Sequence, residues 1–193
     1  MIKEILLPQP KLKGKISVEE AIFSRRSIRN FTTQELTIEQ LSQILWVSQG
    51  QTKDGYRSAP SAGALYPIEI RLIKKDGLFK YLTSGHKIVL LSAEDFRKPL
   101  AQGALYQNSI IQAPVTIIIS ANYNKITPKY GQRGISYSYI ETGHIAQNIH
   151  LEAVALGLGS VPIGAFDDKT VKEILLLPTE NEPLYIVPIG YAR

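Results

Sequence analysis

A chain of 193 residues is long enough for one domain with a real core, and with 44% hydrophobic and 20% charged residues it lies far from compositions that stay disordered. The formal net charge of +5 is scattered apart from Arg25, Arg26 and Arg29, so a local anion site is expected rather than a nucleic-acid stripe. The absence of cysteine excludes disulfides, thiolate metal sites and cysteine nucleophiles.

Met1 to Lys15 mixes Lys3, Glu4, Lys11 and Lys13 with two prolines, giving neither a signal-peptide core nor a membrane span; the expected location is the cytoplasm, with no membrane partner. Ser17-Val-Glu-Glu20 is a capping box that starts a helix ending near Ser24. Thr37-Ile-Glu-Gln40 starts a second helix, stapled by Leu36 and Leu41 and running to about Gln49. Gly50 to Pro67, rich in glycine, proline and serine, is expected to be an ordered loop with a functional role.

Ile68 to Ile73 and Leu78 to Leu82 flank Lys74-Lys-Asp-Gly77, the pattern of an antiparallel hairpin whose Asp-Gly supplies positive φ. Ser92-Ala-Glu-Asp95 is read as another helix cap, and the β-branched Val115 to Ser120 as a central strand buried on both faces. Ser136 to Leu156 is the longest helical pattern, with Ile140, Ala146, Ile149, Ala153 and Leu156 on one side and Gly157 as C-cap. Ser160 to Ile163 is a short strand, Asp167 or Asp168 caps a helix to about Leu176, and Leu184 to Ile189 is the last strand. Strands gathered in the middle with helices around them give an α+β fold, a three-layer sandwich, as a single domain over residues 1–193.

Two stretches carry chemistry. Arg25-Arg-Ser-Ile-Arg-Asn-Phe31 puts three guanidinium groups and a hydroxyl within five residues, a density suited to a phosphate and the polar atoms of a heterocycle, though a solvated basic turn has the same composition. Ser58-Ala-Pro-Ser-Ala-Gly-Ala-Leu-Tyr-Pro67 is small, uncharged and punctuated by prolines, so a flat ligand could lie on its backbone; a tight loop looks the same.

Together these stretches resemble the nitroreductase family, and the Pro60 to Pro67 loop resembles its SagB-type branch. Gln107 ahead of Ala113-Pro114, Glu141-x-Gly143-x-x-x-Gln147-Asn148-x-x-Leu151, and Gly157-Leu-Gly-Ser-x-Pro-Ile-Gly164 match in the same order, so the resemblance runs from Ser17 to Arg193. It implies the nitroreductase-like sandwich with a central, mainly antiparallel sheet, non-covalent FMN, and a homodimer carrying the flavin at its interface. Arg25, Arg26 and Ser27 would sit on the phosphate and ribityl side, Arg29 near N1 and O2 of the ring, and Arg193 at the phosphate. Pro60, Ser61, Ala62, Gly63 and Leu65 would reach in from the partner subunit, Gln107 would bond the pyrimidine edge, and Pro162, Ile163, Gly164 and Ala165 would form the turn at N5. Many members carry Glu where Gly164 stands, so the pocket here is expected to be more open.

The resemblance further implies ping-pong two-electron reduction, with NAD(P)H as transient donor and a nitroaromatic, quinone or similar small molecule as acceptor. No protein residue acts as catalyst; the flavin carries the chemistry while Arg29, Gly164 and Ala165 tune it. The alternatives are a SagB-type dehydrogenase acting on a peptide azoline, a non-catalytic FMN-binding or storage protein, and, from charge alone, a nucleic-acid module. No metal site is expected, because His144 and His150 are six apart on a helix and do not share the i, i+4 face. Glu141 is read as a structural carboxylate and Trp46 as a core or dimer contact.

Overall fold

The computed structural model describes residues 3–193; Met1 and Ile2, at the head of the N-terminal stretch discussed above, lie outside the described residues. Strands β1 (Glu4–Leu6), β2 (Ile68–Lys74), β3 (Gly77–Leu82), β4 (Lys87–Ser92), β5 (Val115–Asn122), β6 (Gly159–Ser160) and β7 (Asn181–Gly190) form one sheet in the order β1-β4-β3-β2-β5-β7-β6, with every neighbouring pair antiparallel. Helices α1 (Val18–Ser24), α2 (Ile38–Gln49), α3 (Arg97–Gly103), α4 (Asn108–Gln112), α5 (Thr127–Tyr130), α6 (Arg133–Ala155) and α7 (Asp168–Ile174) surround it.

Alternation along β5 produces the layers. Ile117 and Ile119 point into a core shared with Leu41, Ile44 and Leu45 of α2 and Ile145 and Ile149 of α6. Ile118 points the other way, onto Leu100 of α3, Ile110 of α4 and Val171 of α7. A strand buried on both faces reads as a continuous apolar run because each side-chain row has its own core to fill. The fold is therefore an α+β three-layer sandwich, as expected.

Both capping boxes form: Ser17 accepts from the Glu20 amide while Glu20 accepts from the Ser17 amide at 2.7 Å, and Thr37 and Gln40 do the same. Asp167 caps α7 by accepting from Thr170, and Arg71, buried on β2, donates to the carbonyls of Leu175 and Leu176 where α7 ends, a cation at the negative end of the helix.

Four local expectations are corrected. Ser92 ends β4 instead of capping a helix, and α3 starts only at Arg97, whose amide is taken by Asp95. The β2–β3 turn is Lys75-Asp76, and of the Asp-Gly pair only Gly77 has positive φ, at 146°. The strand expected over Ser160 to Ile163 is reduced to β6 and an isolated bridge between Ile163 and Ile186, since Pro162 brings no amide to a ladder. Ile140 is exposed, and the buried face of α6 passes instead through Ser138, Glu141, Thr142, Ile145, Ile149 and His150.

β1 and β4 lacked a sequence signal of their own. The N-terminal segment is tied down through His86: the Ser42 hydroxyl donates to the Pro8 carbonyl at 2.5 Å and lies 2.7 Å from His86 Nε2, while the Tyr81 hydroxyl lies 2.8 Å from Nδ1. With its hydrogen committed to Pro8, Ser42 accepts from Nε2–H; burial pushes the His86 imidazole down and keeps it neutral, so Nδ1 accepts from Tyr81.

Candidate functional site

The basic segment leaves α1 at its C-cap, Arg25, and is held by the sheet end and by α6. Ile28 donates its amide to the Ser160 carbonyl at 3.0 Å, Ser27 forms a parallel bridge with Ser160, and Phe31 bridges Ala192. Arg25 Nη1 lies 3.2 Å from His150 Nε2 on α6, and His150 Nδ1 lies 2.5 Å from Ser160 Oγ. Burial, reinforced by the Arg25 charge, pushes the His150 imidazole down to about 4. Arg26 Nη1 donates to the carbonyls of Phe23 and Arg25 at 3.0 and 2.7 Å. Ser27 and Arg29 are exposed. The Arg193 amide donates to the Asn30 carbonyl at 3.1 Å, which brings the far end of the sequence against the segment. Among the described residues none of these four arginines is paired with a carboxylate, so the region carries uncompensated positive charge.

A second group assembles beside the middle of β7, at Tyr185 and Ile186. Gln107 Nε2 donates to the Ala165 carbonyl at 3.3 Å, and Asp167 donates its amide to Gly103. Ile163 exchanges backbone bonds with Ile186 at 2.7 and 3.0 Å, leaving Gly164 and Ala165 exposed on a pinned turn beside partly buried Pro162. A Cβ at Gly164 would meet only the Tyr185 ring, at 3.5 Å, an ordinary van der Waals contact. Just before Gln107, Leu105 and Tyr106 both adopt positive φ (55° and 60°) and are largely exposed.

The Pro60 to Leu65 loop stands elsewhere on the same chain. It contains a 3-10 turn at Ala62–Ala64, with Gly63 at φ 61°, and the Ser61 hydroxyl accepts from the Tyr66 amide at 3.0 Å. A side chain at Gly63 would meet the Tyr130 hydroxyl at 2.7 Å and the Lys129 ammonium at 2.9 Å, which puts the tip of the loop against the end of α5, while just ahead of it the Ser58 carbonyl accepts from Asn148 of α6 at 3.3 Å. Behind the loop, Arg57 lies 4.3 Å over the Tyr66 ring and donates to Gln49 Oε1, and Gln49 Nε2 donates to Glu141 Oε1 at 3.0 Å. Glu141 is buried with its carboxyl pushed up by that burial, and its second oxygen has no partner among the described residues. Its place is thus structural, though only half satisfied.

Two features had no place in the sequence reading. Lys129, Tyr130, Arg133 and Tyr137 form an aromatic and cationic ridge beside Gly63, with the tyrosine rings 5.2 Å apart edge to face and Arg133 5.4 Å over Tyr137; the i, i+4 spacing of Arg133 and Tyr137 was its available signal. The other is the Arg25–His150 contact, which joins residues 125 apart and left no local trace. His144 is exposed on α6 while His150 is buried, and among the described residues no group of three His, Asp or Glu side chains converges.

Residues 22–191 match the model of the nitroreductase family. The chain belongs to the nitroreductase family. It is 41% identical over 194 residues to the nitroreductase-family protein MJ1384 of Methanocaldococcus jannaschii, covering 97% of this chain and 96% of the relative. It is 25% identical to an FMN reductase [NAD(P)H] of Bacillus subtilis, covering 90% of this chain and 65% of that protein. The crystal structure of a nitroreductase-family protein from Ralstonia eutropha JMP134 superposes with a TM-score of 0.90 at 28% identity, covering 98% of this chain and 90% of that one. The Escherichia coli microcin synthetase McbBCD complex shares the fold at a TM-score of 0.76 and 22% identity, covering 98% of this chain and 77% of that one. Membership in this family makes the protein an oxidoreductase.

Proposed function

We propose that the chain is one FMN-binding domain that works as a homodimer, with NAD(P)H as electron donor and a nitroaromatic, quinone or similar small molecule as acceptor. The observation that carries this reading is that Arg25, Arg26 and Arg29 lie within five residues, that the Arg193 backbone bonds Asn30 beside them, and that none of the four is paired with a carboxylate among the described residues. Such a cluster fits a phosphate monoester at one end and a polar heterocycle at the other.

When bound, the flavin supplies two-electron transfer between a nicotinamide donor and an organic acceptor. Arg25, Arg26 and Arg193 would hold the phosphate and Ser27 the ribityl chain, and Arg29 would supply positive charge at the pyrimidine side of the ring, favouring its acceptance of electrons. Gln107, oriented by its bond to Ala165, addresses the pyrimidine edge, and the turn from Pro162 to Ala165 offers backbone at N5. The absence of a side chain at Gly164 leaves room for a flat acceptor.

Homodimerisation rests on two observations. The tip of the Pro60 to Leu65 loop lies beside Lys129 and Tyr130 while Arg25 lies beside His150, so a second copy would supply Pro60, Ser61, Ala62, Gly63 and Leu65. In addition, α1 turns Val18, Ile22 and Phe23 outward, with Phe23 81% exposed, and Leu12 is equally bare. Val18 and Leu12 border a groove of about 1050 Å³ that also contains Trp46, Leu151 and Leu156, an apolar surface of the kind that marks an interface.

The deciding experiment is the visible spectrum of the purified protein, followed by anaerobic addition of NADH or NADPH. Flavin bands that bleach establish the reductase. Bands that persist favour a dehydrogenase on a peptide azoline, in line with the SagB-like loop, or flavin storage. A colourless protein that does not take up FMN removes the proposal, and steep salt-dependent binding to DNA or RNA would replace it.

A further inference from the structure

We propose that His150 is a positioning residue for Arg25, a neutral imidazole on α6 that holds the guanidinium in place at the phosphate end of the flavin site; the inference rests on the flavin reading above. An arginine side chain offers only donors, so at 3.2 Å His150 Nε2 must be the acceptor for Arg25 Nη1. The imidazole proton is then on Nδ1, and it is donated to Ser160 Oγ at 2.5 Å. Ser160 also anchors the backbone of the basic segment, through its carbonyl on the Ile28 amide and its bridge to Ser27. One residue thereby fixes the segment and, through its hydroxyl, the ring that aims the segment's first arginine.

The environment keeps the acceptor in the required form. His150 is 4% exposed, and burial together with the adjacent Arg25 charge resists protonation of the ring. A histidine is the one side chain that can accept from a cation with one nitrogen and donate to a hydroxyl with the other while staying neutral. Arg26 provides the internal contrast, because its guanidinium bonds only the nearby carbonyls of Phe23 and Arg25 and takes no support from α6. Holding a long cationic side chain in its bound geometry removes part of the ordering cost that an anion would otherwise have to meet.

The test is titration of the flavin-free protein with FMN and with riboflavin, which lacks the phosphate, followed by flavin fluorescence. The unaltered protein should prefer FMN. His150→Leu should lower FMN affinity about tenfold, the usual consequence of losing one hydrogen bond to a charged group, and leave riboflavin affinity unchanged. His150→Gln, whose amide oxygen can accept from Arg25, should restore FMN binding to within about threefold on the same scale. Ser160→Ala, which removes only the hydroxyl, should shift FMN in the same direction as His150→Leu and keeps the test open if leucine at 150 prevents folding. A folded His150→Leu protein with an unchanged preference for FMN, or with equal losses for both flavins, overturns the assignment. Failure of the unaltered protein to bind either flavin overturns the flavin reading itself, a result distinct from a protein that binds FMN but ignores the change at 150.

Discussion

The two motifs that α6 supports are built in opposite ways. The segment from Arg25 to Arg29 presents charged side chains, and its backbone is fixed by the end of the sheet while Arg25 is steadied by a neutral histidine. The Ser58 to Pro67 loop presents backbone and small side chains, and its support is a buried relay of Arg57, Gln49 and Glu141. The first should fail when a charge is removed and the second when shape is altered. Loss of a cation leaves the backbone where it was, whereas a side chain at Gly63 must adopt a φ of 61° and push aside the ends of Tyr130 and Lys129.

The largest effect on the charged side should come from Arg25→Ala. Removing a charge-assisted contact to phosphate costs about 2 kcal/mol, so FMN should bind more than tenfold more weakly while the melting temperature holds. A comparable loss of riboflavin affinity would break the comparison. On the other side, Gly63→Val should destabilise the loop by about 1–2 kcal/mol from its left-handed φ alone, and contact with Tyr130 and Lys129 adds to that. A lowered melting temperature, with FMN and riboflavin affected alike, is the expected signature.

Arg29→Ala should slow flavin reduction by NAD(P)H more than it weakens flavin binding, read by anaerobic stopped flow, because the charge acts on the electron-accepting ring. Unchanged reduction kinetics with full flavin content would remove Arg29 from that role.

A smaller effect is expected from His150 on stability against pH. Its folded-state pKa is pushed from 6.5 to about 4, so between these values the unfolded chain binds more protons and stability falls as the pH falls. The contribution is fully present above about 6.5 and lost progressively toward about 4. In urea melts the stability difference between the unaltered protein and His150→Gln should therefore be constant above about 6.5 and shift against the unaltered protein as the pH falls toward about 4. Gly164→Ala is expected to do least, within about 0.5 kcal/mol of the unaltered stability, since its Cβ makes ordinary contact with Tyr185.

Much of the fold was legible in the sequence because its signals are local. The two capping boxes, the all-buried run of β5 and the cap at Asp167 each depend on residues within a few positions of one another. β1 escaped because three residues pairing with β4 carry no periodicity to read. Ile140 misled because helical spacing alone does not say which face meets the sheet, and the face chosen here includes the polar Ser138, Glu141 and His150. For the site, the basic segment and the glycine-containing loop stood out by composition and the turn at Gly164 came only from the family resemblance, while His150 was weighed as a metal ligand.

What the sequence by itself determined, then, was which segments fold into helices and strands and which stretches carry unusual chemistry, since hydrogen-bonding caps and side-chain alternation act over one or two turns of chain. Only the tertiary structure decided that Gln107 meets Ala165, that the Arg193 backbone meets Asn30, and that Arg25 meets His150. These contacts depend on where α6 and the sheet end come to rest against each other, and that is set by the burial of two whole cores and not by any local pattern.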